Sequence, residues 1–270
     1  MSIVFAAIAP HGTLPEAPIE GADKTHEALA ELGRRFDAAR PEATIVLTPH
    51  NVHVARHFAV IQAGTVAGTL ADFDAAEVML TCPVDLELAS HAVVALHDAG
   101  IPVVGTSFGA NDPAAATAPM DWGALIPLWV MGGRSTPPVP AVVVSPARDR
   151  PLDEHVQAGA ALASGARESG KRVALIASAD HGHAHDPEGP YGFDPAAADY
   201  DARVVELVQS DRLGALLELD PAFVDAAKAD SWWQLLMLHG ALGGEGWRGE
   251  LLSYEAPTYF GMLCAAYAPS

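Results

Sequence analysis

Basic residues are scarce in this chain of 270 residues: 15 Lys and Arg stand against 34 Asp and Glu, a formal net charge of −19. Such a field repels phosphate backbones and anionic lipid surfaces, so neither nucleic acid nor membrane is expected as a partner. Cysteine is scarcer still. Cys82 and Cys264 are too few for a disulfide scaffold and too far apart for a thiolate zinc knuckle, which points to a reducing, cytoplasmic setting. No apolar run reaches the roughly 18 residues that cross a bilayer. The apolar stretch Ser2 to Pro10 has no basic region before it and meets His11-Gly12 at once, so it reads as a strand rather than a secretion signal. Linkers of Ser and Gly, charge runs and internal repeats are also lacking, which leaves a single domain over 1–270 as the simplest organisation.

What is present is a large apolar fraction, half of all residues, which excludes a disordered chain. Short β-branched runs recur at Ile3–Ile8, Thr44–Thr48, Ile101–Val104, Val139–Val144 and Arg172–Ala177. Near-continuous hydrophobicity over such lengths marks strands covered on both faces. Between them lie Ala- and Leu-rich stretches of helical length, Lys24–Ala39, Leu86–Ala99 and Leu152–Lys171, and a helical block runs from about Pro195 to Leu242. An additional strand is expected over Arg56–Gly64 and a terminal extended pair over Gly249–Ala268. Alternation of strand and helix predicts an α/β fold with a central, largely parallel or mixed sheet flanked by helices.

The chain carries 12 histidines, and several sit just past strand ends: His11 after the first run, His50 and His53 after the second, and His181, His183 and His185 after the run ending at Ala177. Ligand crevices in open α/β sheets lie beyond the carboxyl ends of the strands, so these loops can converge on one metal site. His11 and His50 each follow a proline, whose fixed φ orders the backbone before the imidazole. His53 and His57 lie where the chain leads into the next strand and need be no more than solvated or supporting groups. A mononuclear iron site open to chemistry needs two imidazoles and one carboxylate. Asp230, at the start of the helical stretch that ends in His239-Gly240, is either that carboxylate or a helix N-cap with Ser231 as its competitor, and this segment alone leaves both open.

Pro10-His11-Gly12, Pro49-His50, Ser178-Ala179-Asp180-His181-Gly182-His183, Pro187-Glu188-Gly189-Pro190-Tyr191-Gly192-Phe193-Asp194-Pro195 and Leu238-His239-Gly240-Ala241-Leu242 occur in this order along most of the chain. In that set the chain resembles the class III extradiol ring-cleavage dioxygenases, the superfamily of the protocatechuate 4,5-dioxygenase catalytic subunit, which has Memo proteins among its relatives. The resemblance implies a non-haem Fe(II) enzyme that opens a catechol-like or aminophenol-like ring with O2. It places His11 and His50 as the imidazole ligands and His183 as the catalytic acid/base. The family's third ligand precedes the Gly-Ala-Leu helix end by nine or ten positions, which gives Ser231 or Asp230. Only Asp230 is a carboxylate. His181, His185, Trp122, Tyr191 and His53 are expected around the substrate or behind the ligands. Trp122 is a departure, because ring-cleaving relatives often carry histidine after the aspartate of Met120-Asp121-Trp122-Gly123, and an indole N–H donates but cannot accept or carry a proton.

Rival expectations use the same residues. A Memo-like protein would keep the metal or a partner in the pocket without cleaving rings, and a zinc hydrolase would use the histidines to activate water; zinc or another divalent ion could thus replace iron. A homo-oligomer or a small accessory subunit is compatible with the sequence. Gly165–Arg172 nearly spells a phosphate-binding loop, but Arg172 replaces the Ser or Thr and the order is helix then strand, the reverse of what that loop requires. Trp232-Trp233 is expected to serve helix packing, and the two cysteines to pack as small hydrophobes.

Overall fold

The computed structural model describes residues 2–243 and 246–269. Its main sheet has eight strands in the order β10-β11-β1-β9-β2-β8-β3-β6. The four that matter most are β1 (Ile3–Ala9), β9 (Val173–Ser178), β2 (Ala43–Leu47) and β8 (Ala141–Ser145). They are mutually parallel neighbours. Every residue of β2, β8 and β9 is buried, which is why each reads as an unbroken apolar run rather than an alternating one. At one edge β3 (Phe58–Ile61) runs antiparallel to β8 and parallel to β6 (Val103–Thr106). At the other, β10 (Trp247–Glu255) and β11 (Met262–Pro269) form an antiparallel pair that joins β1. The sheet is mixed with a parallel centre, as expected.

Helices cover both faces. α1 (Asp23–Ala39), α2 (Leu86–Asp98) and α4 (Leu152–Glu168) fall where the sequence places them. α2 starts at Asp85, whose carboxylate accepts from Leu88 N–H, one of the donors every helix leaves unpaired at its start. The expected helical block divides into α5 (Ala196–Gln209), a 3-10 turn over Leu213–Glu218, α6 (Pro221–Ala226) and α7 (Trp232–Leu242).

Two features were not anticipated. A second, three-stranded sheet, β5-β4-β7, is built from β4 (Thr65–Leu70), β5 (Ala75–Pro83) and β7 (Thr117–Pro119). A short helix, α3 (Trp122–Val130), packs between it and the main sheet. Asp121 caps α3 by accepting from Ala124 N–H, and Pro127 lies inside it. Proline has no N–H to offer the carbonyl four residues back, so the Gly123 carbonyl lacks its intrahelical donor.

Candidate metal centre

The order β1-β9-β2 puts three parallel strand ends side by side, and each delivers part of the site. β1 ends at Ala9, two residues before His11; β2 ends at Leu47, before Pro49-His50; β9 ends at Ser178 and leads into Asp180-His181-Gly182-His183. Asp230 comes from the start of α7. There Gln234 donates to both the Asp230 and the Ser178 carbonyls, at 2.7 and 3.0 Å, and fastens the helix start to the end of β9. Ser231 occupies the N-cap position without making a side-chain cap, so the Asp230 carboxylate is not spent on the helix.

The ligand atoms of His11, His50 and Asp230 all lie within 4.8 Å of one another. Asp230 Oδ2 is 3.4 Å from His50 Nε2 and 3.8 Å from His11 Nε2. It is buried and has no hydrogen-bond partner, while Oδ1 is held by the Arg148 guanidinium.

The surroundings decide what His11 presents. Ser178 Oγ donates its proton to the Gly123 carbonyl, the one that Pro127 leaves free. Its lone pair therefore faces His11 Nδ1 at 2.9 Å, and the imidazole carries its hydrogen there. In the neutral ring Nε2 is then a bare lone pair. Burial, followed by the charge of His50, pushes the His11 pKa well down, so a proton on the ring does not fill the gap. That lone pair faces two carboxylate oxygens, Asp180 Oδ2 at 3.5 Å and Asp230 Oδ2 at 3.8 Å. A divalent cation resolves that conflict, and two imidazoles with one carboxylate suit Fe(II) or Zn(II). The residues present fit the group.

His183 stands beside this set but outside it. Its Nδ1 is 2.7 Å from the His181 carbonyl, which can only accept. The hydrogen is therefore on Nδ1, which leaves Nε2 as the ring's acceptor. Burial lowers its pKa, with the Asp230 charge opposing, so the ring is neutral at pH 7. Its ring stacks on Phe260 at 5.5 Å and meets Tyr191 edge-on at 6.0 Å.

The sequence profile described as the catalytic LigB subunit of aromatic ring-opening dioxygenase matches residues 6–263. This chain belongs to the LigB family. Protein CA_C1420 of Clostridium acetobutylicum is 24% identical over 240 residues, 89% of this chain but 50% of its own length, so the chain spans about half of that curated relative. The crystal structure of the uncharacterized protein JW3007 from Escherichia coli K12 superimposes with a TM-score of 0.63 at 20% identity, covering 97% of this chain and 99% of that one. At that identity the likeness speaks for the fold.

Within this LigB-family site the other residues singled out from sequence fall in different places. Trp122 lies with its ring 4.6 Å from that of His50 and 5.5 Å from Phe73. Tyr191 and His53 line the cleft. His181 is fully buried and turned away, its Nδ1 2.9 Å from Ser231 Oγ, with burial holding its pKa down at about 4. His185 pairs with Asp201 at 2.8 Å and is not part of the triad. Of the tryptophan pair, Trp232 is buried and donates to the Leu216 carbonyl, as packing requires. Both border the cleft, and Trp233 lies beneath the Arg148 guanidinium, which is 4.6 Å from its ring.

Several supporting residues escaped the sequence reading. Asp201 is 1% exposed and accepts from Gly182 N–H, His185 Nε2 and Tyr254 O–H, which fixes the turn that carries His183. Asp180 accepts from His11 N–H, and burial pushes its pKa well up. Asp121 binds Asn51 N–H at 2.7 Å and so ties the His50 loop to α3. Arg148 follows the end of β8 as His11 follows β1; applying the strand-end rule to cations as well as histidines would have found it. For Asp201, in the middle of a helix, the sequence holds no such signal.

Proposed function

We propose that this LigB-family protein is a ring-cleaving extradiol dioxygenase that holds Fe(II) on His11, His50 and Asp230 and opens a catechol-like or aminophenol-like ring with O2. The observation that carries the reading is the unpartnered Asp230 Oδ2 facing two imidazole nitrogens, with His183 lining the same cleft. When bound, the iron supplies the redox chemistry and the open coordination positions.

The chain's own groups supply placement and proton traffic. Arg148 balances the second oxygen of Asp230 and, through Pro49 O at 3.1 Å, fixes the His50 loop relative to α7. His183, neutral and with its hydrogen committed to the His181 carbonyl, accepts a substrate hydroxyl proton at Nε2 and returns it as the ring opens. Phe260, stacked on that imidazole, and Tyr191, edge-on to it, hold the ring in place. The indole of Trp122 cannot relay a proton, so the acid/base work rests on His183.

The reading includes a cytoplasmic enzyme acting on a small aromatic and O2, with no nucleic-acid or membrane partner; among the described residues no helix is long and apolar enough to cross a membrane. Oxygen uptake by protein reconstituted with Fe(II) under argon, then exposed to a panel of catechols and aminophenols, tests it. Uptake with one of them, giving a ring-opened product, is expected. A protein that binds iron and consumes no oxygen with any of them refutes ring cleavage and leaves a Memo-like metal-binding role.

A further inference from the structure

Two cavities meet at the triad. The larger, about 1060 Å³, has Asp230, Arg148, Arg150, Lys228 and Trp233 in its walls. The smaller, about 650 Å³, has His11, Glu16, Phe73, Asp74 and Phe260. Only His50, Trp122, His183 and Tyr191 belong to both. These four stand where the two cavities adjoin, and the triad spans the boundary: Asp230 lines one cavity, His11 the other, and His50 both.

Trp122 is the largest side chain of the four, and its position is fixed from three sides. Asp121, just before it, is anchored by Asn51 N–H and Ala124 N–H. Gly123, just after it, lets the backbone approach the His50 loop: a Cβ there would stand 2.5 Å from Thr48 Oγ1 and 3.1 Å from His50 Cδ2. The indole itself lies against His50 and meets Phe73, a wall of the smaller cavity. It is nonetheless 37% exposed. A large apolar ring held in a cleft beside the ligands without being buried there is placed to meet something that enters.

We propose that Trp122 is a specificity-determining residue: its indole is the wall between the two cavities, so that a ring held at the triad extends its substituents into the larger, Arg- and Lys-lined cavity and not into the smaller one. The inference rests on the triad being a metal centre that binds an aromatic diol. Ligands with substituents in one direction are accepted, and those with bulk in two directions are refused.

Binding to the Zn(II)-loaded protein tests this without turnover, because zinc has no redox chemistry. 4-Nitrocatechol serves as the chromophoric ligand, displaced in turn by 4-tert-butylcatechol, with bulk on one side, and 3,5-di-tert-butylcatechol, with bulk in two directions. The wild-type protein should bind the two-sided ligand at least about tenfold more weakly, the discrimination a filled pocket achieves for a few methyl groups. Trp122→Ala should narrow that gap to roughly threefold or less, and Trp122→Phe should keep most of it. Retained zinc and an unchanged far-UV spectrum show that the variants are folded. An unchanged gap in Trp122→Ala overturns the wall while leaving the ring-cleavage reading intact. A gap that closes in a protein that takes up no oxygen with Fe(II) does the reverse. If no catechol binds the zinc-loaded wild type, both fall.

Discussion

Ser178→Ala removes one oxygen atom and leaves two groups without a partner. The hydroxyl accepts from His11 Nδ1–H and donates to the Gly123 carbonyl, and Ser178 is fully buried. Without it the imidazole N–H has no acceptor. The Gly123 carbonyl cannot fall back on its helical partner either, because residue 127 is proline. Two buried groups left unsatisfied, at about 1–3 kcal/mol each, give a loss of roughly 3 kcal/mol in the metal-free protein. The effect on the metal is separate. His11 is no longer held with its hydrogen on Nδ1, and loss of such support weakens metal affinity by about 10- to 100-fold. Urea unfolding of the metal-free protein measures the first quantity, and zinc titration against a competing chelator the second. Stability within about 0.5 kcal/mol of wild type together with zinc affinity within about twofold would refute the assignment of the His11 tautomer.

Three further outcomes follow from the same contacts. Asp201→Asn exchanges an acceptor for a donor among Gly182 N–H, His185 and Tyr254 O–H; turnover should fall about tenfold or more with metal content unchanged, and wild-type turnover at unchanged metal content would contradict a role in placing His183. His183→Ala should keep stoichiometric iron and lose at least about a hundredfold in turnover, the usual share of a general acid/base, and wild-type turnover would remove the residue from the mechanism. His155 is fully buried against Phe58, donates to the Pro151 carbonyl, and has its pKa lowered by burial. The unfolded chain therefore takes up a proton near pH 6.5 that the folded chain does not, and stability is lost as pH falls through and below that value. Urea midpoints at pH 7.5 and 5.5 should drop less in His155→Phe than in wild type, and equal drops would contradict this.

The parallel core was legible because its strands are covered on both faces. Ile3–Ile8, Thr44–Thr48 and Arg172–Ala177 as read from sequence lie within a residue or so of β1, β2 and β9. The small sheet was not. β5 does not alternate in sequence, since Met79 is apolar yet exposed between buried Val78 and Leu80, β7 is three residues long, and β4 carries Gly68, where a Cβ would stand 2.0 Å from the Met120 carbonyl. Such strands form because α3 lies over them, a tertiary cause that short-range pattern does not record. α3 itself is apolar all round and contains Pro127, so neither periodicity nor propensity marks it as a helix. α4 stops at Glu168 rather than Lys171, because Gly170 turns the chain with a φ of +69°.

At the site, imidazoles past strand ends were visible one by one. What could not be read was which way each ring is turned. That depends on Ser178, on the carbonyl freed by Pro127, and on Asp201 reaching across from α5. The choice between cap and ligand at Asp230 was open for the same reason, since it turns on where its carboxylate points: Oδ1 to Arg148 and Oδ2 towards the two imidazoles.

Iron stoichiometry of protein purified and loaded without oxygen reaches the central claim most directly. About one ion per chain is expected in the wild type and almost none in His11→Ala, His50→Ala or Asp230→Ala, since each removes one of three ligands. Stoichiometric iron in all three variants, or none in the wild type, would contradict the account.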